Sequence, residues 1–203
     1  MIVVKKLKID EMLIGMPVPK QADGNGSHGN IGCYVEEVLN SNGYPVNKGA
    51  GCDINISGVD VEVKTRNIDS DAPHTVGSMT YEEICNTPYE QSNVCKKFQQ
   101  QYRVYFKNGE PGFIVKAKVC QFTDDCIQSQ IKKSYEEART ILISNPKYAN
   151  SLPWVTVKGF ANCPGYFEKT KTGTSWAFRV TDSAMKDYES IDSNRQFVND
   201  VFN

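Results

Sequence analysis

Apolar positions in this chain recur at two different periods. Ile31, Tyr34, Val35, Val38 and Leu39 fall at helical spacing, with Gly43 as a stop. The stretch before them, residues 17–30 (PVPKQADGNGSHGN), is rich in Gly, Pro and Asn and reads as a loop. Beyond Gly43 the period drops to two. Asp53-Ile-Asn-Ile56 alternates, Ser57-Gly58 interrupts, and Val59-Asp-Val-Glu-Val-Lys64 alternates again, which predicts a β-hairpin. Residues 66–80 are polar and predict a loop, and residues 81–101 hold helical material broken near Pro88. Tyr102 to Phe106 and Phe113 to Phe122 read as strands joined by residues 108–112. Residues 123–143 predict the longest helix, with Thr123 as cap and Asp124 and Asp125 in a first turn that favours negative charge. Trp154 to Val157, Tyr166-Phe167 and Trp176 to Val180 read as strands, and the tail from Asp182 as partly helical. Trp154 and Trp176 are expected in the core. Strands and helices mix without regular βαβ alternation, so the expected class is α/β in the mixed α+β sense.

Composition narrows the possibilities. A chain of 203 residues suffices for one sizeable core, so a single domain over 1–203 is expected. Hydrophobic residues at 39% and charged residues at 23% fit a globular chain and exclude a disordered one. The formal net charge of -1 means that any polyanion must be held by a local arrangement of Lys and Arg. No apolar run approaches the ~20 residues that span a bilayer, so no membrane partner is expected. Lys5, Lys6 and Lys8 precede only a broken apolar stretch, Met12 to Met16 with Gly15 inside, which makes a poor signal peptide. The seven cysteines are odd in number and form no CxxC pair, which argues against a disulfide framework or a zinc ribbon. His28 and His74 lack metal-ligand spacing. The expected location is cytoplasmic, or the host cytoplasm if the protein is viral.

The informative stretch is the hairpin. With Ser57-Gly58 as a two-residue turn, opposite positions sum to 115, so Ile56 faces Val59, Asn55 faces Asp60, Ile54 faces Val61 and Asp53 faces Glu62. The polar face then brings the Asp53 and Glu62 Cβ atoms to ~5 Å, where like charges destabilise. A hard divalent cation between them reverses that sign. Lys64 lies on the same face. Two carboxylates and a lysine are what metal-assisted phosphodiester hydrolysis needs. Carboxylate oxygens suit Mg²⁺, the metal polarises the phosphoryl oxygen and acidifies a bound water, and a lysine orients or helps deprotonate that water or stabilises developing charge. The pattern D…E-x-K by itself is expected about once by chance in a chain of this composition. An ordinary charged hairpin with a solvated outer face is the competing reading.

A wider pattern surrounds the hairpin. Gly32-Cys-Tyr-Val-Glu36, Asp53, Gly58-Val59 and Glu62-Val-Lys64-Thr65 follow one another in the order of a Gly-x-x-x-Glu helix, an Asp and a Glu-x-Lys-Thr strand. This resembles the PD-(D/E)xK nuclease superfamily, most nearly its MutH-type mismatch-repair nucleases and their restriction-enzyme relatives. Thr75-Val-Gly-Ser-Met79 resembles the strand after their active-site strand, and Lys97-Phe98 with Arg103-Val-Tyr-Phe106 a later segment. The likeness covers roughly residues 28–106. Two extra residues separate Gly58 from Lys64, so Asp60 and Glu62 both stand as candidate ligands, of which only Glu62 keeps the spacing to Lys64.

The resemblance implies a restriction-endonuclease-like fold, with a central mixed β-sheet flanked by helices. It implies Mg²⁺, with Mn²⁺ substituting, held by Asp53, Glu62 and the Val63 carbonyl. It makes Lys64 the group acting on the attacking water. Glu36 supports the site from its helix, with Glu37 the alternative register, and Lys97 is an auxiliary basic residue. The partner is double-stranded DNA. Arg66, Asn67, His74 and Thr75, on the loop beside the active strand, are expected near it. A local cleft drawing on Arg66, Lys96, Lys97 and Lys116 or Lys118 is expected to supply the attraction. The implied function is divalent-metal-dependent DNA endonuclease activity of restriction, repair-nicking or phage type. The alternatives are a catalytically silent DNA-binding module of the same fold, a structure-specific junction resolvase, or a small α+β binding protein. Monomer and homodimer both remain open.

Overall fold

The structure is a computed structural model that describes residues 9–19, 27–47, 53–56 and 58–191. Lys5, Lys6, Lys8, Cys52, Ser57 and the tail beyond Ile191 lie outside the described residues, as do positions 20–26 of the Gly-rich stretch and the side chain of His28. The chain divides into two compact units. The first holds the described residues up to Ser70 together with Gln100–Gln121, and the second holds Asp71–Gln99 and Phe122–Ile191.

The first unit is built on a four-stranded mixed sheet. Its strands are β1 (Ile54–Ile56), β2 (Val59–Asn67), β4 (Gln100–Lys107) and β5 (Phe113–Gln121), in the order β1-β2-β4-β5. β1–β2 and β4–β5 pair antiparallel, and β2–β4 pair parallel. A parallel pair needs a long crossover, and here that crossover runs through the second unit as residues 71–99. Two helices pack on this sheet. α1 (Ile9–Leu13) lies on β5, and α2 (Ser27–Ser41) lies on β2. Ile31, Val35 and Leu39 form a fully buried i, i+4, i+8 stripe on α2, each worth about 1.5–3 kcal/mol of transfer free energy. The stripe shares one core with Val61, Val63, Tyr102, Val104, Phe106, Ala117 and Val119. The buried Tyr102 hydroxyl donates to the Ile9 carbonyl at 2.9 Å.

The second unit carries an antiparallel sheet in the order β3-β8-β7-β6, from β3 (His74–Met79), β6 (Thr156–Lys158), β7 (Gly165–Lys169) and β8 (Trp176–Val180). α5 (Asp125–Ser144) packs on β6 and β7, with α3 (Tyr81–Asn86), α4 (Asn93–Lys97) and α6 (Asp182–Ser190) in the same unit. Tyr135 on α5 meets the rings of Phe167 and Phe178 at 5.2 and 5.8 Å. Among the described residues no helix is long and apolar enough to cross a membrane.

The class is therefore mixed α+β, with the strands shared between two sheets instead of gathered in one. The expected loop over residues 66–80 is shorter than its polarity implied. β2 runs on to Asn67, and the chain re-enters a strand at His74. The α5 cap is Asp124, whose carboxylate accepts from the Cys126 and Ile127 amides, and not Thr123. Trp176 is fully buried, but Trp154 is 58% exposed, with Lys171 Nζ 4.6 Å from its ring centroid.

Candidate active site

The hairpin forms in the predicted register, with Ile54 opposite Val61, Asn55 opposite Asp60 and Ile56 opposite Val59. Gly58 adopts φ +88°, a left-handed conformation that other L-residues rarely take. Its N–H donates to Asn55 Oδ1 at 3.0 Å, and Asn55 Nδ2 donates to Asp60 Oδ1 at 2.9 Å. Asp60 is thus an exposed residue near the start of β2, tied to its ladder partner Asn55. Glu62 is the buried acid, with 1% of its surface exposed.

Asp53 does not continue the ladder. β1 starts at Ile54, and the Asp53 carbonyl instead accepts the Asn47 N–H at 2.9 Å. Its side chain takes the place of the missing strand partner, as Oδ2 accepts the Val63 N–H at 2.8 Å. A strand residue presents its N–H and C=O to the same neighbour, so the Val63 carbonyl lies on the Asp53 side of β2. Lys64 Nζ donates to Glu62 Oε1, forming an ion pair between a buried acid and a lysine that is 29% exposed.

Glu36 approaches from α2. Burial pushes its carboxyl above the ordinary range, the charges of Asp53 and Glu62 push it further, and Lys64 pulls it back. Glu36 therefore shares the electrostatic environment of the hairpin acids. Glu37 is exposed on the outer side of the helix, where its carbonyl accepts the Ser41 hydroxyl at 2.8 Å. Of the two registers, Glu36 is the one turned to the hairpin.

The donor set is hard oxygen. Among the described residues no three His, Cys, Asp or Glu side chains gather as a ready-made metal cluster. Mg²⁺ does not require one, since it binds through one or two carboxylates and keeps several waters. A carboxylate offers about four acceptor directions, so the bonds from Val63 and Lys64 are compatible with a cation shared by Asp53 and Glu62. On that chemistry the site fits Mg²⁺ or Mn²⁺.

The other predicted residues are distributed as follows. Arg66 and Asn67 end β2, where Arg66 Nη2 donates to the Ser70 carbonyl at 2.5 Å and Asn67 Oδ1 accepts the Asp69 N–H at 3.0 Å. Lys96 and Lys97 occupy the last turn of α4 in the second unit, Lys96 exposed and Lys97 half-buried. His74 is not on a solvated loop. It opens β3, is buried, and its Nε2 lies 2.9 Å from Asp182 Oδ1, whose other oxygen meets Lys186 at 2.6 Å. Burial and pairing tie that ring to Asp182. Thr75, next on β3, is exposed.

Sequence reasoning passed over the polar side of β4. Gln101 and Arg103 are buried, Arg103 Nη1 donates to Gln101 Oε1 at 2.8 Å, and its Nε donates to the Tyr105 hydroxyl at 3.1 Å. The signal was present as alternation in Gln-Tyr-Arg-Val-Tyr-Phe, where polar groups fall on every second residue of a central strand. A scan against known protein families finds no matching family, and no curated protein sequence matches the chain significantly.

Proposed function

We propose that the protein is a divalent-metal-dependent endonuclease acting on double-stranded DNA, of the restriction-endonuclease-like kind that its sequence resembles. One observation carries the reading. Within three consecutive residues of β2, Glu62 pairs with Lys64 while the intervening Val63 amide is bonded by Asp53. An ordinary charged hairpin would turn its acids to water, yet Glu62 is buried.

Asp53, Glu62 and the Val63 carbonyl would hold Mg²⁺, with Mn²⁺ as a substitute. A divalent cation held there would supply Lewis-acid chemistry at a phosphoryl oxygen and a more acidic water. Lys64 places a positive charge beside the reacting phosphate, where it orients the water and stabilises charge that develops only in the transition state. Glu36, whose proton affinity is raised by burial and by its acidic neighbours, is a better proton acceptor than a solvated carboxylate and serves the water from the helix side. The setting is cytoplasmic, as the odd cysteine number suggests, and the protein acts as a monomer or homodimer.

The test is incubation of the pure protein with supercoiled plasmid. Nicking or linearisation is expected in Mg²⁺ or Mn²⁺ and none in EDTA. Lys64→Ala should abolish cleavage while Ca²⁺-supported DNA binding stays within about twofold, because the residue acts on the transition state. Cleavage by Lys64→Ala within tenfold of wild type removes Lys64 from the catalytic set. Binding without cleavage by the wild type in either metal identifies a silent module instead.

A further inference from the structure

One stretch of the second unit carries an excess of positive charge. Between Glu137 and Asp182 the chain has six cations, Arg139, Lys147, Lys158, Lys169, Lys171 and Arg179, and one acid, Glu168. Glu168 does not balance the lysines, because its carboxylate pairs with Arg179 at 2.6 Å. Lys147 and Lys171 are exposed, and among the described residues each lies over an aromatic ring and meets no carboxylate. The same stretch holds the two most exposed large apolar side chains among the described residues, Leu152 at 79% and Trp154 at 58%. Trp154 also has φ +73°, a left-handed backbone that is costly for a bulky side chain and persists only where its surroundings fix it. Here they do. The next carbonyl, that of Val155, accepts the Lys169 N–H at 2.8 Å. On the other side, Pro153 lies against the β7–β8 turn, where a Cβ built on Gly173 would stand 3.8 Å from Pro153 Cγ. That turn is closed by the Thr170 N–H donating to the Ser175 carbonyl at 2.9 Å, and it places Lys171 Nζ 4.6 Å from the Trp154 ring centroid. An exposed indole is thus held by an anchored loop, with a cation on its face.

We propose that Trp154 is a stacking platform for an unpaired base of single-stranded DNA, with Lys171 and Lys147 meeting flanking phosphates. A nucleotide is the ligand that offers a flat π-face and a negative charge side by side, which is what an exposed indole flanked by lysines without acids complements. Every base has such a face, so the platform accepts a strand irrespective of sequence. Bases in a duplex are already stacked on one another, so the platform selects unpaired nucleotides. A bilayer surface is the poorer match. The loop tip beside Trp154 is polar, with Thr172 Oγ1 linked to the Thr170 and Thr174 hydroxyls at 3.1 Å and the Lys171 ammonium over the ring, and burying these groups in hydrocarbon is costly. That the strand is DNA rests on the nuclease reading above, and the platform then assigns the second unit to a single-stranded segment of the substrate, such as a tail, flap or gap beside the duplex. The platform lies wholly in the second unit and needs no metal.

The experiment is titration of the full chain with oligo(dT) in EDTA, read by tryptophan emission and, with a labelled strand, by fluorescence anisotropy. The protein has two tryptophans and Trp176 is fully buried, so a change in emission reports Trp154. Stacking should quench it. Trp154→Ala should weaken binding roughly 5- to 150-fold, the cost of one base–aromatic stack, whereas Trp154→Phe, which keeps a ring, should bind within a few-fold of wild type. Lys171→Ala should lower the slope of log affinity against log salt by about 0.7, one phosphate contact on a single strand. Lys132→Ala, exposed on α5 in the same unit and paired with Glu90, serves as control and should keep the wild-type affinity and slope. Wild-type affinity in Trp154→Ala overturns the platform, and so does Trp154→Phe binding as weakly as Trp154→Ala. Emission that responds to phosphatidylserine vesicles and not to oligo(dT) overturns it in favour of a membrane contact. A wild type that cleaves plasmid in Mg²⁺ but whose emission ignores oligo(dT) overturns the platform and leaves the nuclease reading standing. Trp154-dependent binding by a protein that cleaves nothing in Mg²⁺ or Mn²⁺ keeps the platform and removes the nuclease reading.

Discussion

The pairing of buried Glu62 with Lys64 holds the charge balance of the hairpin, and a double-mutant cycle measures it. Glu62 is buried and accepts from Lys64, with Asp53 beside it and Glu36 near enough to feel its charge. Lys64→Ala in metal-free protein leaves that acid with like charges nearby. Surface ion pairs contribute about 0–1 kcal/mol, while breaking a fully buried pair costs about 3–5 kcal/mol. Glu62 is buried but Lys64 retains 29% exposure, so the pair falls between these two cases. About 2 kcal/mol lies between these limits, and for a chain of this length that lowers Tm by ~4–8 °C. Glu62→Gln keeps the shape and removes one charge from the acidic group, so it should be nearly neutral. On that background Lys64→Ala no longer strands a carboxylate, and the coupling should be about 1–3 kcal/mol. The assay is urea unfolding of the four proteins in EDTA at pH 7. If Lys64→Ala costs as much in the Glu62→Gln background as in wild type, the pair is not what holds Glu62, and the reading of a charge-balanced site is wrong.

Two further outcomes are expected. Metal should stabilise the fold by mass action: at 10 mM Mn²⁺ and a Kd of about 1 mM the gain is ~1.4 kcal/mol, or ~3–6 °C in Tm, and it should vanish in Asp53→Ala. Scanning calorimetry that shows no shift for the wild type removes the metal site. Glu36 has a folded-state carboxyl pKa raised above its ordinary 4.5, so the folded state binds protons more tightly than the unfolded state between those values. Its penalty is absent below pH 4.5 and complete above the raised pKa. Glu36→Gln should therefore stabilise the metal-free protein at pH 7, with the gain fading as pH falls toward 4.5. Urea midpoints that show no gain at pH 7 would separate Glu36 from the acidic pair.

What the sequence revealed and what it hid follow from the range of the interactions involved. The hairpin register was legible because a two-residue turn and strict alternation leave one pairing that buries Ile54, Ile56 and Val61 together. The α2 stripe was legible for the same local reason. The parallel pairing of β2 with β4, which brings Arg103 beside Lys64, joins residues almost forty positions apart, and no local pattern encodes it. His74 was misread because its polar neighbours describe a loop, whereas its strand pairs with β8 and its ring meets Asp182 more than a hundred residues later. The division of the strands into two sheets was hidden for that reason too, since a single strand's alternation does not name its partner.

The site residues owe their placement to the face that carries no chemistry. Val61, Val63, Tyr102, Val104, Ala117 and Val119 point into the core against α2 and α1, while Glu62, Lys64, Gln101, Arg103 and Lys118 alternate with them on the other side. A slip of one residue in β2 would turn Glu62 and Lys64 toward the Ile31–Val35–Leu39 stripe and expose the valines. At about 1.5–3 kcal/mol for each apolar side chain, that burial outweighs the roughly 2 kcal/mol of the Glu62–Lys64 pair several-fold. The charges therefore do not fold the hairpin into its register. Hydrophobic burial does so and holds the acids together against their repulsion, in the metal-free state that a divalent cation is proposed to relieve.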